Sequence, residues 1–230
     1  LYGHHDVLPR GKDASPRPAA DAPRLKEEDV RFREELEELQ LRVAALPQMD
    51  SPAPARPNHG AVAIDAGVGG PDAVRQLLGA LPAGFARPLV LRQRIEGGQY
   101  DKLVRQMQRA SALRVVLAQA GDPLQAGTVH VLPHGLDVKA APAGLVFAPV
   151  DRAADFSALP AADSALVLLS GADPALVDRA LGIALAGGIA LGQSQDNCFD
   201  PAASIALVAR GGHAAPIAKI SQQLLERWPA

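Results

Sequence analysis

The sequence contains almost no cysteine, few aromatic residues and no marked excess of either charge. Cys198 is the only cysteine among 230 residues, so no disulfide can form within the chain, and a reducing cytoplasm is the predicted location. The net charge of −2 gives no electrostatic basis for binding nucleic acid or an anionic membrane surface. No signal peptide and no apolar run long enough to cross a bilayer are present, so we predict no direct membrane insertion.

The first residues of the chain also lack any hydrophobic period. Residues 1–24 are rich in proline, alanine and charge, and we expect a disordered segment or linker. His4 and His5 have no third ligand at a usable spacing, so no metal site is predicted there. The chain begins at Leu1 rather than at a methionine, and we expect it to be cut from a longer protein.

A single apolar stripe distinguishes residues 25–46, where spacings of four and three place the apolar side chains on one helix face. Two arrangements would bury this stripe: packing on the chain's own domain, or a short coiled coil that makes a dimer with a second copy. Residues 47–58 follow as a predicted proline-rich linker. The stripe consists of Phe32, Leu36, Leu39, Val43 and Leu46.

Strand and helix patterns alternate over residues 59–230. This alternation predicts an α/β fold, with a doubly wound, mainly parallel sheet, helices on both faces and a short antiparallel edge section. Ala61–Ala66 is expected to be a buried strand away from the sheet edge. Three short apolar segments between residues 128 and 150 are expected to form the antiparallel section, as a β-meander.

The carboxyl ends of parallel strands are where open α/β sheets bind ligands. Three segments fall there: Asp65–Gly70, Arg92–Ile95 and Ser170–Ala175. The first, within "AVAIDAGVGGPDAV", has the strand, glycine turn and helix start that present a nucleophile in hydrolases, but its turn contains no Ser, Cys or Lys. A dinucleotide-binding turn is also disfavoured, because Asp72 stands where the third glycine of that fingerprint belongs.

Several of these motifs, in order, resemble the catalytic domain of CheB-type chemotaxis protein-glutamate methylesterases. The segment "AIDAGVGGPDAV" is similar to the family's strand, G-A-S-T-G-G-P turn and helix. The segments "AQAGDPLQAGTVHVLP", "ALAGGIALGQS" and "APIAKISQQLL" are similar to later family motifs. The resemblance spans roughly residues 62–225. It implies hydrolysis of methyl esters on chemoreceptor glutamates by a Ser-His-Asp triad, without a cofactor.

Carried over residue by residue, the resemblance places no triad in this chain. The family's serine falls on Gly67, its neighbouring threonine on Val68 and its histidine on Arg94. The aspartate falls on Ala175 without a gap, or near Asp173 if the turn is two residues shorter. Glycine has no nucleophile, and arginine does not deprotonate to act as a base. No catalytic residue is therefore predicted.

The remaining polar residues are expected to bind rather than to react. Arg94 is expected to hold a carboxylate, with Asp65 the nearest candidate, or alternatively to bind an unmethylated receptor glutamate. His130 and His134 are expected at the surface or a sheet edge, and Cys198 in a half-buried loop. The full predicted binding set is Asp65, Gly67, Val68, Gly69, Arg94, Ser170, Asp173 and Gln193.

Two functions remain open from the sequence. One is a non-catalytic methylesterase-like domain that serves as a binding or regulatory module of a chemotaxis-type pathway, with chemoreceptor helices or other pathway proteins as partners. The other is an active protein-glutamate methylesterase with a rearranged site, in which Ser170 or Ser194 would be candidate nucleophiles. The family plan also implies a phosphorylation-sensing receiver domain upstream, with residues 1–57 as the connection.

Overall fold

The structure is a computed structural model that describes residues 60–230, together with Val30, Phe32 and Glu35. These three N-terminal residues are helical, and the Phe32 side chain is 64% exposed. The other predictions for residues 1–59, including the burial of the rest of the apolar stripe, the 1–24 segment and the 47–58 linker, lie outside the described residues.

A seven-stranded parallel sheet forms the centre of the compact unit Pro54–Ala230. The strands are β1 (Val62–Ala66), β2 (Leu89–Gln93), β3 (Arg114–Leu117), β4 (Thr128–Val131), β7 (Ala165–Leu168), β8 (Ile189–Gln193) and β9 (His213–Ala215). Their order in the sheet is β3-β4-β2-β1-β7-β8-β9, so β1 is the middle strand, as the buried pattern of Ala61–Ala66 predicts. The mainly parallel α/β sheet is thus confirmed.

The short antiparallel section is smaller than predicted and separate from the main sheet. It consists of β5 (Leu136–Ala141) and β6 (Gly144–Pro149), paired as a hairpin. The meander prediction is wrong for its first segment, because β4 lies between β2 and β3 in the main sheet and is parallel to both. Two strands that neighbour in sequence, β4 and β5, therefore belong to different sheets.

Helices cover both faces of the sheet, which gives the doubly wound arrangement. The helices α1 (Gly70–Gly79), α2 (Tyr100–Ala110) and α5 (Ile217–Arg227) contribute to one apolar core cluster. The helices α3 (Val177–Leu185) and α4 (Ala202–Ala209), with the β5–β6 hairpin, contribute to the other. None of the described helices has the length and apolar character needed to cross a membrane.

The two clusters divide β1 by the period of two that strands impose on side-chain direction. Val62, Ile64 and Ala66 belong to the first cluster, and Ala63 belongs to the second. Asp65 follows the same alternation onto the second face, where it is completely buried. A carboxylate is therefore placed inside the domain by the register of an otherwise apolar strand.

Trp228, the only tryptophan in the sequence, contacts two arginines at the amino-terminal edge of the sheet. The Arg87 guanidinium carbon lies 5.3 Å from the Trp228 ring centre, and that of Arg227 lies 5.8 Å from it. Arg87 also donates a 2.6 Å hydrogen bond to Asp163, which accepts a 2.9 Å bond from the Gly60 N–H. The start of the described domain is thereby joined to its carboxyl-terminal helix.

Candidate functional site at the carboxyl edge of the sheet

The turn from β1 into α1, which we call the elbow, spans Ala66–Gly70. The Gly67 N–H donates to the Ser170 carbonyl at 2.9 Å, and the Gly67 carbonyl accepts from the Gln93 side chain at 2.7 Å. Gly69 adopts a left-handed conformation with φ 76°, which lets the chain reverse into the helix. The strand, tight turn and helix predicted from the sequence are therefore all present.

Gly67 lies too close to a neighbouring turn to accept a side chain. A Cβ atom built on Gly67 would lie 2.2 Å from the Gly171 carbonyl oxygen and 3.1 Å from Arg94 Nη2. Gly171 has φ 68°, and its own Cβ would lie 2.2 Å from the Val68 nitrogen. The elbow and the turn after β7 thus pack backbone against backbone, at the place where a nucleophile would project.

Asp65 pairs with Arg92, a residue outside the predicted binding set. Asp65 Oδ1 accepts a 2.5 Å hydrogen bond from Arg92 Nε, and Oδ2 accepts a 2.7 Å bond from the Asp173 N–H. Burial opposes the charge on Arg92, but the hydrogen bond and charge of Asp65, with the charge of Asp173, raise the pKa of Arg92. Arg92 is therefore held in its charged form.

The expected pair of Asp65 with Arg94 is accordingly wrong, for a reason of register. Asp65 lies directly opposite Arg92 on the neighbouring parallel strand, so their side chains share one face of the sheet. Arg94 follows the end of β2, and its Nη2 donates to the Gly171 carbonyl. The nearest carboxylate oxygen to Arg94 Nη1 belongs to Asp173, at 3.7 Å.

Asp173 and Ala175 are the two candidates for the position of the family's aspartate, and of these Asp173 lies beside Arg92 and Arg94. Its Oδ1 accepts a 3.0 Å hydrogen bond from the Ala175 N–H and so caps the short 3-10 turn Pro174–Leu176. Its Oδ2 lies 3.5 Å from Arg92 Nη2 and 3.7 Å from Arg94 Nη1. The Ala175 side chain is exposed and takes no part in this cluster.

The side chains of Ser170 and Gln193 form hydrogen bonds that hold the elbow and the neighbouring loops in place. Ser170 Oγ donates to the Val68 carbonyl at 2.8 Å and accepts from the Asp200 N–H at 3.0 Å. Gln193 accepts a 2.9 Å hydrogen bond from the Ser170 N–H. Both side chains are buried. The structure therefore gives these two predicted site residues hydrogen bonds that fix the loops.

His130, His134 and Cys198 differ in how far they are buried. His130 is 3% exposed in β4, so the expectation of a surface or edge position is wrong for it, whereas His134 is exposed as expected. Burial lowers the pKa of His130, and its Nε2 accepts from the Gln125 N–H. Cys198 is half-buried as predicted, and burial raises the pKa of its thiol, which disfavours the nucleophilic thiolate.

A cleft of about 400 Å³ opens beside Arg94, between the ends of β2 and β4 and the β5–β6 hairpin. Arg92, Arg94 and Asp173 form its charged side. The sequence pattern did not predict this cleft, because it assigned β4 to an antiparallel meander, and the end of β4 was therefore not expected at the carboxyl edge of the main sheet. Its other walls include Ile95, Tyr100, Leu132, Pro133, Leu136 and Ala154.

Two large apolar side chains are exposed to solvent beside the elbow. Val68 is 65% exposed and Phe199 is 78% exposed. A Cβ on Gly69 would lie 2.5 Å from the Phe199 Cβ, so the two exposed side chains flank the same turn.

Comparison with known proteins adds a family to this geometry. The family model described as CheB methylesterase matches residues 62–224, which is most of the chain and nearly all of its described domain. The chain belongs to the CheB methylesterase family.

Known protein-glutamate methylesterases are similar to part of this chain. It is 34% identical to the protein-glutamate methylesterase/protein-glutamine glutaminase 1 of Saccharophagus degradans over 126 residues, which cover 55% of this chain and 34% of that protein. It is 33% identical to the protein-glutamate methylesterase FrzG of Myxococcus xanthus over 105 residues, or 46% of this chain and 31% of that protein. The matches span about a third of these relatives' lengths.

A solved CheB structure has the same fold. The crystal structure of the Thermotoga maritima CheB methylesterase catalytic domain superposes with a TM-score of 0.65 at 20% sequence identity. The match covers 73% of this chain and 98% of that domain. The two proteins therefore share this fold.

Proposed function

We propose that this CheB-family domain is non-catalytic and acts as a binding or regulatory module in a chemotaxis-type signalling pathway of the cytoplasm. The observation that carries the proposal is the elbow itself. Gly67 supplies no nucleophile, and a side chain there would lie 2.2 Å from a backbone oxygen. Removal of the serine alone takes away most of the rate of a Ser-His-Asp hydrolase.

The groups around the elbow also lack a general base. Arg94 occupies the position that the resemblance assigns to the histidine, and a guanidinium does not deprotonate in water. Its Nη2 donates to the Gly171 carbonyl, so the guanidinium is held beside the elbow. This arrangement suits binding of an acceptor group better than proton transfer.

The alternative, an active methylesterase with a rearranged site, requires another nucleophile beside a base. Neither Ser170 nor Ser194 hydrogen bonds to a histidine within residues 60–230. Ser170 Oγ is engaged by the Val68 carbonyl and the Asp200 N–H. The geometry therefore favours the binding module.

The partners that we propose follow from the relatives. Proteins named protein-glutamate methylesterase act on protein glutamates, and the family resemblance implies chemoreceptor helices as their carriers. We expect this domain to contact such helices, or other proteins of the same pathway, through the carboxyl edge of the sheet. The exposed apolar side chains of Val68 and Phe199 would contribute to that contact.

Methanol release from methylated receptor tests the absence of catalysis. We expect the purified chain to release no more methanol than buffer, while FrzG, as the positive control, releases it readily. Release that survives purification and disappears with Ser170→Ala, Ser194→Ala or Cys198→Ala would refute the proposal and identify the nucleophile.

A further inference from the structure

The cleft beside Arg94 presents hydrogen-bond donors on an apolar wall. The Arg94 side chain is 48% exposed, and within residues 60–230 its one charged partner lies 3.7 Å away, beyond normal hydrogen-bond distance. Its guanidinium has five N–H groups, and the Gly171 carbonyl accepts from one nitrogen. Arg94 therefore retains donors for a ligand in the cleft.

Tyr100 supplies a second donor to the cleft. Its phenolic oxygen accepts a 3.0 Å hydrogen bond from the His134 N–H, which fixes the oxygen and leaves the hydroxyl hydrogen to donate. Both Tyr100 and His134 line the cleft. A ligand that accepts hydrogen bonds is therefore favoured over one that donates them.

The charged groups around this side of the cleft balance, so an anion is favoured by the hydrogen bonds that Arg94 can donate and not by a net positive charge. Two guanidinium groups, of Arg92 and Arg94, line the cleft with one carboxylate, that of Asp173. The charge that balances Arg92 belongs to Asp65, which is completely buried behind it. Asp173 is itself held by the Ala175 N–H and cannot turn away from the site without losing that bond.

We propose that this cleft binds a carboxylate carried next to apolar side chains, and that it discriminates against the methyl ester of the same group. A planar guanidinium matches a carboxylate through two parallel hydrogen bonds, whereas an ester offers a neutral and weaker acceptor. The apolar walls at Ile95, Leu132 and Leu136 receive the neighbouring side chains. The inference rests on the proposed function, because an active esterase would convert one probe into the other.

Binding of short peptides to the 230-residue chain tests the inference. The main probe is an acetylated, amidated and fluorescently labelled peptide with one glutamate flanked by leucines. Matched peptides carry glutamine or glutamate methyl ester at that position. A fourth carries glutamine with a free carboxyl terminus, which separates a side-chain carboxylate from a chain-terminal one. By fluorescence anisotropy, we expect the carboxylate to increase affinity about tenfold to a hundredfold, as a hydrogen bond to a charged group does.

Two variants and a matched control locate the effect. Arg94→Leu is expected to abolish the preference for the carboxylate, and Tyr100→Phe to reduce it. Arg210→Leu is the control, because Arg210 is 51% exposed and also pairs with an aspartate, Asp178, outside the cleft. Circular dichroism of each variant verifies that the domain is folded, and Tyr100→Phe keeps the test informative if Arg94→Leu is not.

The outcomes separate this inference from the proposed function. Preference for either carboxylate peptide, lost in Arg94→Leu and retained in Arg210→Leu, supports the site and identifies the source of the carboxylate. Equal binding of acid, amide and ester, or a preference that survives Arg94→Leu, overturns it. Methanol is measured in the same samples: its release from the ester peptide contradicts the proposed function, whichever peptide binds.

Discussion

Gly67 and Gly171 approach each other so closely that the backbone of one turn fills the space of a side chain on the other. We expect Gly67→Ser to lower the free energy of unfolding by about 1–3 kcal/mol, the usual cost of overpacking a tight site. Urea denaturation measures this change. Gly182→Ser is the control, because Gly182 lies in α3 with nothing within 4 Å of its Cβ position, and helical glycine is replaced without cost.

The same contact bears on restoring catalysis. The double variant Gly67→Ser, Arg94→His is expected to release no methanol from methylated receptor, because the new serine must displace the Gly171 carbonyl before it can reach a substrate. Equal stability of the Gly67→Ser and Gly182→Ser variants, or hydrolysis by the double variant, would show that the two turns separate easily.

His130 makes the stability of the domain depend on pH. Its pKa is lowered by burial from the ordinary 6.5. Below about pH 6.5 the unfolded chain therefore binds a proton that the folded chain does not, and stability falls as the pH decreases. Urea denaturation at about pH 7.5 and about pH 5.5 measures the fall. We expect His130→Gln to reduce it and His134→Gln, at an exposed position, to leave it unchanged. An equal fall in all three proteins would assign the dependence to other groups.

At the scale of elements, α2 protects the free edge of β3. The Gln108 side chain accepts a 2.8 Å hydrogen bond from the Val115 N–H and donates a 3.0 Å bond to the Leu113 carbonyl, so it satisfies backbone groups on an edge strand. We expect Gln108→Ala to destabilise the domain by about 1–3 kcal/mol. In thermal denaturation with light scattering, this variant should unfold and aggregate at lower temperature than Gln106→Ala, an exposed control on the same helix. Equal unfolding and aggregation temperatures for the two variants would show that the hydrogen bonds of Gln108 do not protect this edge.

The sequence predicted those elements whose pattern is local. The buried pattern of β1 places it inside the sheet, as predicted, and the helices α1, α2, α3 and α5 have clear apolar periods. The helix α4 was not predicted, because "AASIALVA" is apolar on nearly all sides and shows no helical stripe. Strand β4 was assigned to the meander, because pairing with β2 and β3 is a non-local choice.

The candidate site was predictable to the same extent. Three of its segments follow from the rule that ligands bind at the carboxyl ends of parallel strands, and they meet as that rule requires. The pair of Asp65 with Arg92 depends on the register of two strands, which no local pattern gives. Tyr100 reaches the cleft from the start of α2, so its role depends on how that helix packs.

At the scale of the whole molecule, the helix predicted over residues 25–46 determines the oligomeric state that we expect. Phe32 is 64% exposed, and a second copy would cover it if residues 25–46 form the predicted coiled coil. We therefore expect light scattering to give a dimer mass for the full chain and a monomer mass for a chain lacking residues 1–57. Identical monomer masses for the two would rule out the dimer and leave packing on the chain's own domain.

The single tryptophan makes the domain an optical reporter of its own integrity. Trp228 is 4% exposed and lies between two arginines, one of which is joined through Asp163 to Gly60. Because the sequence contains no other indole, every change in tryptophan emission originates at this junction. Loosening of the carboxyl-terminal helix, or of its junction with Gly60, can thus be followed in unlabelled protein.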